Sequence, residues 1–284
     1  MKKPINHLID IGNCKISLFE WEGVGPPLFF SHATGFHARV WDNVIRKLSG
    51  RHIYSIDLRG HGRSDKTPFL YNWEVFVNDV ITLFQKLKLS NVIGVGHSMG
   101  GHTITAVAAQ LLNSFKGLVL CDPSIFPPDR YTKKPREGVH PVSKRRNLWS
   151  SPLEMHERLK SHKNFINWED DALWDYCKYG LIQIEDQSGF ELACPPLAEA
   201  KMYDSVLDPK ILKLLPEINI PVKILRARPK KNKVDVPDFD SSITWPELSA
   251  HLPVSEDLVL NHCSHFIPME DSDSVVNAIM KIIK

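Results

Sequence analysis

Residues Gly96-His97-Ser98-Met99-Gly100 match Gly-x-Ser-x-Gly, a pattern that sets a serine between glycines at a sharp turn. The pattern alone is common. With Gly and Ser each near ~7% of residues, about one chain in ten of this length holds it by chance, so its position has to carry the argument. "NVIGVG" (91–96) is a nearly continuous apolar run, like a strand covered on both faces. "MGGHTITAVAAQLLNSF" (99–115) opens with glycines and becomes small and apolar, like a buried helix. A strand-to-helix elbow there presents Ser98 Oγ at the C-terminal edge of a sheet. It also sits beside a helix N-terminus that favours developing negative charge. Neighbours without a Cβ let strand and helix approach closely.

A serine hydroxyl is a weak nucleophile until a base takes its proton. His265 in "NHCSHFIPMED" (261–271) follows the last strand-like run and precedes the last helix, where a loop can carry an imidazole over the sheet edge. His262, three residues earlier and closer to the strand end, is the competitor. The two histidines by spacing also resemble a metal pair, but neither HExxH nor clustered carboxylates accompany them. The third member must orient and stabilise the imidazolium. Asp122 ends the strand-like "GLVLCD" (117–122) at the same edge as Ser98 and is favoured. Its rival is the loop "RPKKNKVDVPDFD" (228–240), which offers Asp235, Asp238 and Asp240 but opens basic. "FFSHATGFHARVW" (29–41) can aim the Thr34 N–H toward the serine, with Met99 N–H as second donor to an oxyanion. His32 and His97 read as buttresses of these loops.

The elements that must position these residues alternate along the first part of the chain. "CKISLFEW" (14–21), "PLFFSH" (27–32) and "HIYSIDL" (52–58) read as strands. "NWEVFVNDVITLFQKLKL" (72–89) reads as a helix with Val75, Val80, Leu83, Phe84 and Leu87 on one face. This alternation implies an α/β fold: a mostly parallel central sheet with helices on both faces. At Pro123 the regime changes to a Pro-rich, basic stretch, then to mostly helical sequence over 152–215. Strands return at "IPVKILRA" (220–227) and "DLVLN" (257–261), and "DSDSVVNAIMKIIK" reads as a terminal helix. Residues 1–122 and 216–284 are therefore expected to form a core, and 123–215 an inserted helical cap. Phe165, Trp168, Trp174, Tyr176 and Tyr179 either roof an apolar pocket or pack cap onto core. Arg130, Lys133, Lys134, Arg136, Lys144, Arg145 and Arg146 read as a solvated cap surface, with an anionic acyl substrate as the sharper alternative.

Composition narrows the function classes. The 284 residues are 43% hydrophobic and 24% charged with net charge +2, so no global field points to nucleic acid. Cys14, Cys121, Cys177, Cys194 and Cys263 are odd in number and widely spaced, which argues for reduced thiols and a cytoplasmic setting. The N-terminal stretch lacks an apolar core and no run suits a membrane span.

Together these stretches resemble the α/β-hydrolase superfamily along the whole chain. "DLRGHGRSD" (57–65) looks like that family's Asp-x-x-Gly-x-Gly-x-Ser loop. Where the family usually has His-Gly before the oxyanion residue, this chain reads His32-Ala33-Thr34-Gly35. The family's acid most often follows the penultimate strand; some members place it one strand earlier, as at Asp122. A serine at 98 argues against the dehalogenase and epoxide-hydrolase branches, which use aspartate there. The expected activity is ester hydrolysis of a small or medium substrate through an acyl-enzyme, with no metal or organic cofactor. Amide, thioester or carbon–carbon cleavage, acyl transfer, or a silent ligand-binding role are the alternatives. The partner implied is a small-molecule substrate.

Overall fold

Along a strand, successive side chains point to opposite faces, and the apolar run at 28–30 uses both. Phe29 enters one hydrophobic core while Leu28 and Phe30 enter the other. Leu118 and Leu120 against Val119 and Cys121 repeat the division. Such double-sided burial needs a sheet with cover on each face. The computed structural model describes residues 3–66, 72–132, 137–185, 188–205, 207–230 and 239–284. Its strands are β1 (Ile5–Asp10), β2 (Lys15–Trp21), β3 (Val24–Ser31), β4 (Arg51–Ile56), β5 (Val92–His97) and β6 (Phe115–Cys121). The short β7 (Leu148–Trp149), β8 (Leu181–Gln183) and β9 (Phe190–Leu192) follow, then β10 (Val222–Ala227) and β11 (Ser255–Leu260).

The main sheet has the order β1-β2-β4-β3-β5-β6-β10-β11. β1 and β2 pair antiparallel, as do β2 and β4, and the other neighbours are parallel. The C-terminal ends of β3, β4, β5, β6, β10 and β11 thus share one edge, and the loops that follow them meet there. His97 is in register with Cys121, so Ser98 and Asp122 leave adjacent strands side by side.

The helices are α1 (Asp42–Lys47), α2 (Trp73–Leu87), α3 (Met99–Gln110), α4 (Pro152–Leu159), α5 (Asp170–Tyr179), α6 (Pro196–Tyr203), α7 (Lys210–Leu214), α8 (Ile267–Glu270) and α9 (Ser272–Ile283). α2 and α3 fill one core, while α1 and α9 fill the other. α2 buries Trp73, Phe76, Val77, Val80, Leu83 and Phe84, a stripe at helical spacing. Val75 and Leu87, placed on that face from sequence, lie half-buried at its margin. Among the described residues, the stretch between β6 and β10 adds no strand to the main sheet. It holds α4 to α7 and a second sheet of order β7-β9-β8, which the helical reading of 152–215 did not foresee. Its apolar residues enter both cores, Cys194 and Met202 one and Trp168 and Tyr176 the other. The five cysteines are buried and unpaired. Among the described residues no helix is long and apolar enough to cross a membrane.

Candidate active site

Ser98 sits at φ 55° and ψ −119°, between β5 and α3. A non-glycine residue there stores about 1–3 kcal/mol of strain, and its surroundings hold it in place. Its N–H donates to Cys121 O (3.1 Å), and its carbonyl accepts from His102 N (3.1 Å) and Ser124 N (2.9 Å). The flanking glycines are needed for space: a side chain at Gly100 would fall on the Ser31 carbonyl, and one at Gly96 on Gly101. Asp122 and Phe239, at φ 40° and 50°, are also in the left-handed region. Three strained non-glycine residues therefore gather at this edge.

His265 is 2% exposed, and its Nδ1 lies 2.6 Å from Asp122 Oδ2. Asp122 is fully buried and further accepts from Ala227 N (3.2 Å), Ile243 N (3.1 Å), Thr244 Oγ1 (3.2 Å) and Ser242 Oγ. The donors from residues 242–244 come from the connection between β10 and β11, the place searched in the sequence for a rival acid. Asp235 and Asp238 lie outside the described residues. Asp240 is exposed and faces Arg228 at 3.7 Å. His262 turns outward and pairs with Asp271 at 2.8 Å, with Cys263 completing a group of donor atoms within 4.8 Å of one another. His262 is thus directed away from Ser98.

The imidazole of His265 is fixed from several sides. Its backbone N–H donates to Phe239 O (3.0 Å), whose ring stacks on it at 5.2 Å. His97 Nε2–H donates to His265 O at 2.8 Å, tying the residue before Ser98 to His265. Burial, with His265 beside it, pushes the His97 imidazole well below its ordinary pKa, so it acts as a neutral strut. With Nδ1 committed to Asp122, Nε2 is the nitrogen left for Ser98. Among the described residues Ser98 Oγ bonds Ser124 Oγ (3.1 Å) rather than the imidazole. Hydrogen bonds to a nucleophile are often loose before substrate arrives.

The loop after β3 reaches the same place. Thr34 Oγ1 donates to Met99 Sδ (3.2 Å), docking the loop on the first residue of α3. Neither the Thr34 nor the Met99 N–H donates to a described residue. The "DLRGHGRSD" loop supports it from behind. Asp57 Oδ1 accepts from Ala38 N (2.6 Å), His32 Nε2 from Leu58 N (3.0 Å) and His61 Nε2 from Gly35 N (3.0 Å). His32 Nδ1 and His61 Nδ1 donate to the Ala33 and Arg59 carbonyls, which fixes both tautomers. Burial lowers both pKa values, so both rings are neutral acceptors at their Nε2 atoms.

A family model, the Alpha/beta hydrolase family, matches residues 28–278. The chain belongs to that family. Named relatives include hydrolases. The 2-(acetamidomethylene)succinate hydrolase of Mesorhizobium japonicum is 30% identical over 119 residues, 42% of each chain. The monoglyceride lipase of Mus musculus is 30% identical over 134 residues, 44% of each chain. The alignments thus span less than half the length of these relatives. The crystal structure of E-2-(acetamidomethylene)succinate hydrolase superposes with a TM-score of 0.77 over 99% of both chains, at 20% identity, a likeness of fold.

Ser124, Ser242, Thr244 and Phe239 escaped the sequence reading. None belongs to a spaced motif. Only the polar run "SSIT" (241–244) before Trp245 hinted that this loop had hydrogen bonds to give.

Proposed function

We propose that this member of the family is a serine hydrolase that cleaves a carboxylic ester of small or medium size through an acyl-enzyme. The observation that carries the reading is the 2.6 Å Asp122–His265 contact, set one strand from a serine held in an elbow. In the forward step His265 Nε2 takes the Ser98 Oγ proton as Oγ bonds to the substrate carbonyl carbon. The carbonyl oxygen becomes an oxyanion facing the Thr34 and Met99 N–H groups, each worth about 2.7–4 kcal/mol in the transition state. The imidazolium, steadied by Asp122, returns the proton to the leaving alkoxide, and an alcohol departs. Water then attacks the acyl group, giving its proton to His265, and Ser98 leaves as the free hydroxyl with a carboxylic acid released.

The segment 123–215 acts in this reading as a cap. Phe36, beside the oxyanion loop, meets Tyr176 at 5.3 Å, Trp168 at 5.8 Å and Phe266 at 6.0 Å, so rings of the inserted segment lie over the site loops. An apolar roof suits an acyl or aryl group.

One relative's name carries an acetamido group, which favours a second reading: the same residues cleaving a carbon–nitrogen bond. p-Nitrophenyl esters of increasing chain length, assayed beside matched p-nitroanilides, separate the two. A fluorophosphonate probe with peptide mapping tests the nucleophile. The adduct belongs on Ser98, and an adduct on Ser124 or on neither serine sinks the reading.

A further inference from the structure

Among the described members of the basic run 130–146, the structure turns Arg145 inward. Arg146 is exposed and reaches Glu154, with its guanidinium 4.2 Å from the centre of the Trp149 ring. Arg145 instead points under the inserted segment. Its Nη1 donates to Glu199 Oε2 (2.8 Å) and its Nη2 to the Tyr176 hydroxyl (3.0 Å). Glu199, on α6, is 4% exposed. Its carboxylate lies flush on Gly35: a Cβ added there would be 2.6 Å from Glu199 Cδ and 3.1 Å from Oε2. Gly35 holds φ +80° and directly follows Thr34. A small cavity beside Gly35 is lined by Arg145, Phe36, His37, Tyr176 and Cys194.

We infer that Arg145 and Glu199 are positioning residues that set the oxyanion loop from the cap side, an inference that rests on the Ser98 reading. Gly35 is held by two groups. His61 accepts its N–H from the core, and the Glu199 carboxylate covers its Cα from the cap. Arg145 keeps that carboxylate in place, because a buried carboxylate stripped of its cation either takes a proton or moves toward water. Tyr176 extends the brace, since its hydroxyl binds Arg145 and its ring packs on Phe36. The clamp thus links the 145 turn, α5 and α6 to the backbone that carries the Thr34 N–H. Donor placement matters in the transition state far more than in the ground state. Loss of the clamp therefore lowers kcat and leaves KM nearly unchanged.

The test uses the full chain, once wild-type labelling by a fluorophosphonate has been mapped to Ser98. Arg145→Met and Glu199→Ala are expected to lose about 10- to 100-fold in kcat, below the ceiling for removing a whole donor, with KM within about threefold. A trifluoromethyl ketone ester analogue, whose adduct presents an oxyanion, should bind more weakly by a similar factor. Glu199→Gln keeps the shape against Gly35 and an acceptor for Arg145, so it should recover most of the loss. If Arg145→Met does not fold, Arg145→Lys, which keeps the charge but lacks the forked donor, is read the same way. Unchanged kcat with a lowered Tm makes the pair a structural staple and overturns the inference. A raised KM with kcat intact also overturns it, placing Arg145 against substrate instead. A wild-type chain that neither labels nor turns over removes the Ser98 reading and this one together.

Discussion

The two sides of the site are held by different parts of the chain. On the acid side, Asp122 and His265 are fixed by strand ends and by residues 242–244, all belonging to the elements around β6, β10 and β11. On the oxyanion side, the 33–36 loop leans partly on the core, through His61, and partly on Glu199 of the inserted segment. The acid side therefore has its geometry set by sheet register. The proposed oxyanion side has a support that comes from the inserted segment. The difference teaches where sensitivity lies: under the proposed roles, proton transfer rests on the sheet framework and oxyanion binding on the contact between Glu199 and Gly35.

Ser98→Ala sets the scale for both sides. It should abolish fluorophosphonate labelling and lower ester turnover by about 10⁴-fold or more, and retained activity would break the whole comparison. On the acid side alone, Asp122→Asn should cost about 10⁴ in kcat by favouring the wrong tautomer of His265. Asp235→Asn should change kcat far less in the same assay. The reverse ranking moves the acid to the later loop and dissolves the claim that register sets this side.

Smaller changes sharpen the contrast. Ser242→Ala removes an O–H donor from the buried Asp122 carboxylate, and Thr244→Val removes a hydroxyl shared between Pro123 O (2.8 Å) and Asp122 Oδ1 (3.2 Å). Each should lower unfolding free energy by about 1–3 kcal/mol, measured in urea, and slow turnover without altering KM. A raised KM instead would tie that loop to substrate. The smallest single-residue effect concerns pH. Burial lowers His32, His37, His61, His97 and His102 below their ordinary 6.5, with His102 at about 4. Below pH 6.5 an unfolded chain takes up protons at these rings that the native chain does not. Their stabilising contribution is present above pH 6.5 and is lost progressively as pH falls toward 4. Calorimetry should show Tm dropping across that window, and His102→Gln should flatten part of the slope. An equal slope in that variant shows that other groups govern the acid limb.

Much of the main fold was legible because its strands and helices are long enough for periodicity to show. β1, with "INHLID", is mostly exposed and its Ile5, Leu8 and Ile9 do not alternate, and the strands of the small sheet have two or three residues. Neither presents a pattern a reader can find. The Ser98 elbow stood out because glycines and the switch from strand to helix are local signals. Arg145 did not, since nothing near it in the chain distinguishes it from Lys144 or Arg146.

By itself the sequence determined the kinds of element, their order, and which residues could supply a nucleophile, a base and an acid. Those follow from local periodicity and side-chain chemistry, which depend on near neighbours. Only the tertiary structure decided that Asp122 receives the donors of residues 242–244, that His262 turns away, and that Glu199 closes over Gly35. Each of these joins residues far apart along the chain, and such pairings are selected by burial and hydrogen-bond satisfaction across the assembled core, which no short window of sequence encodes.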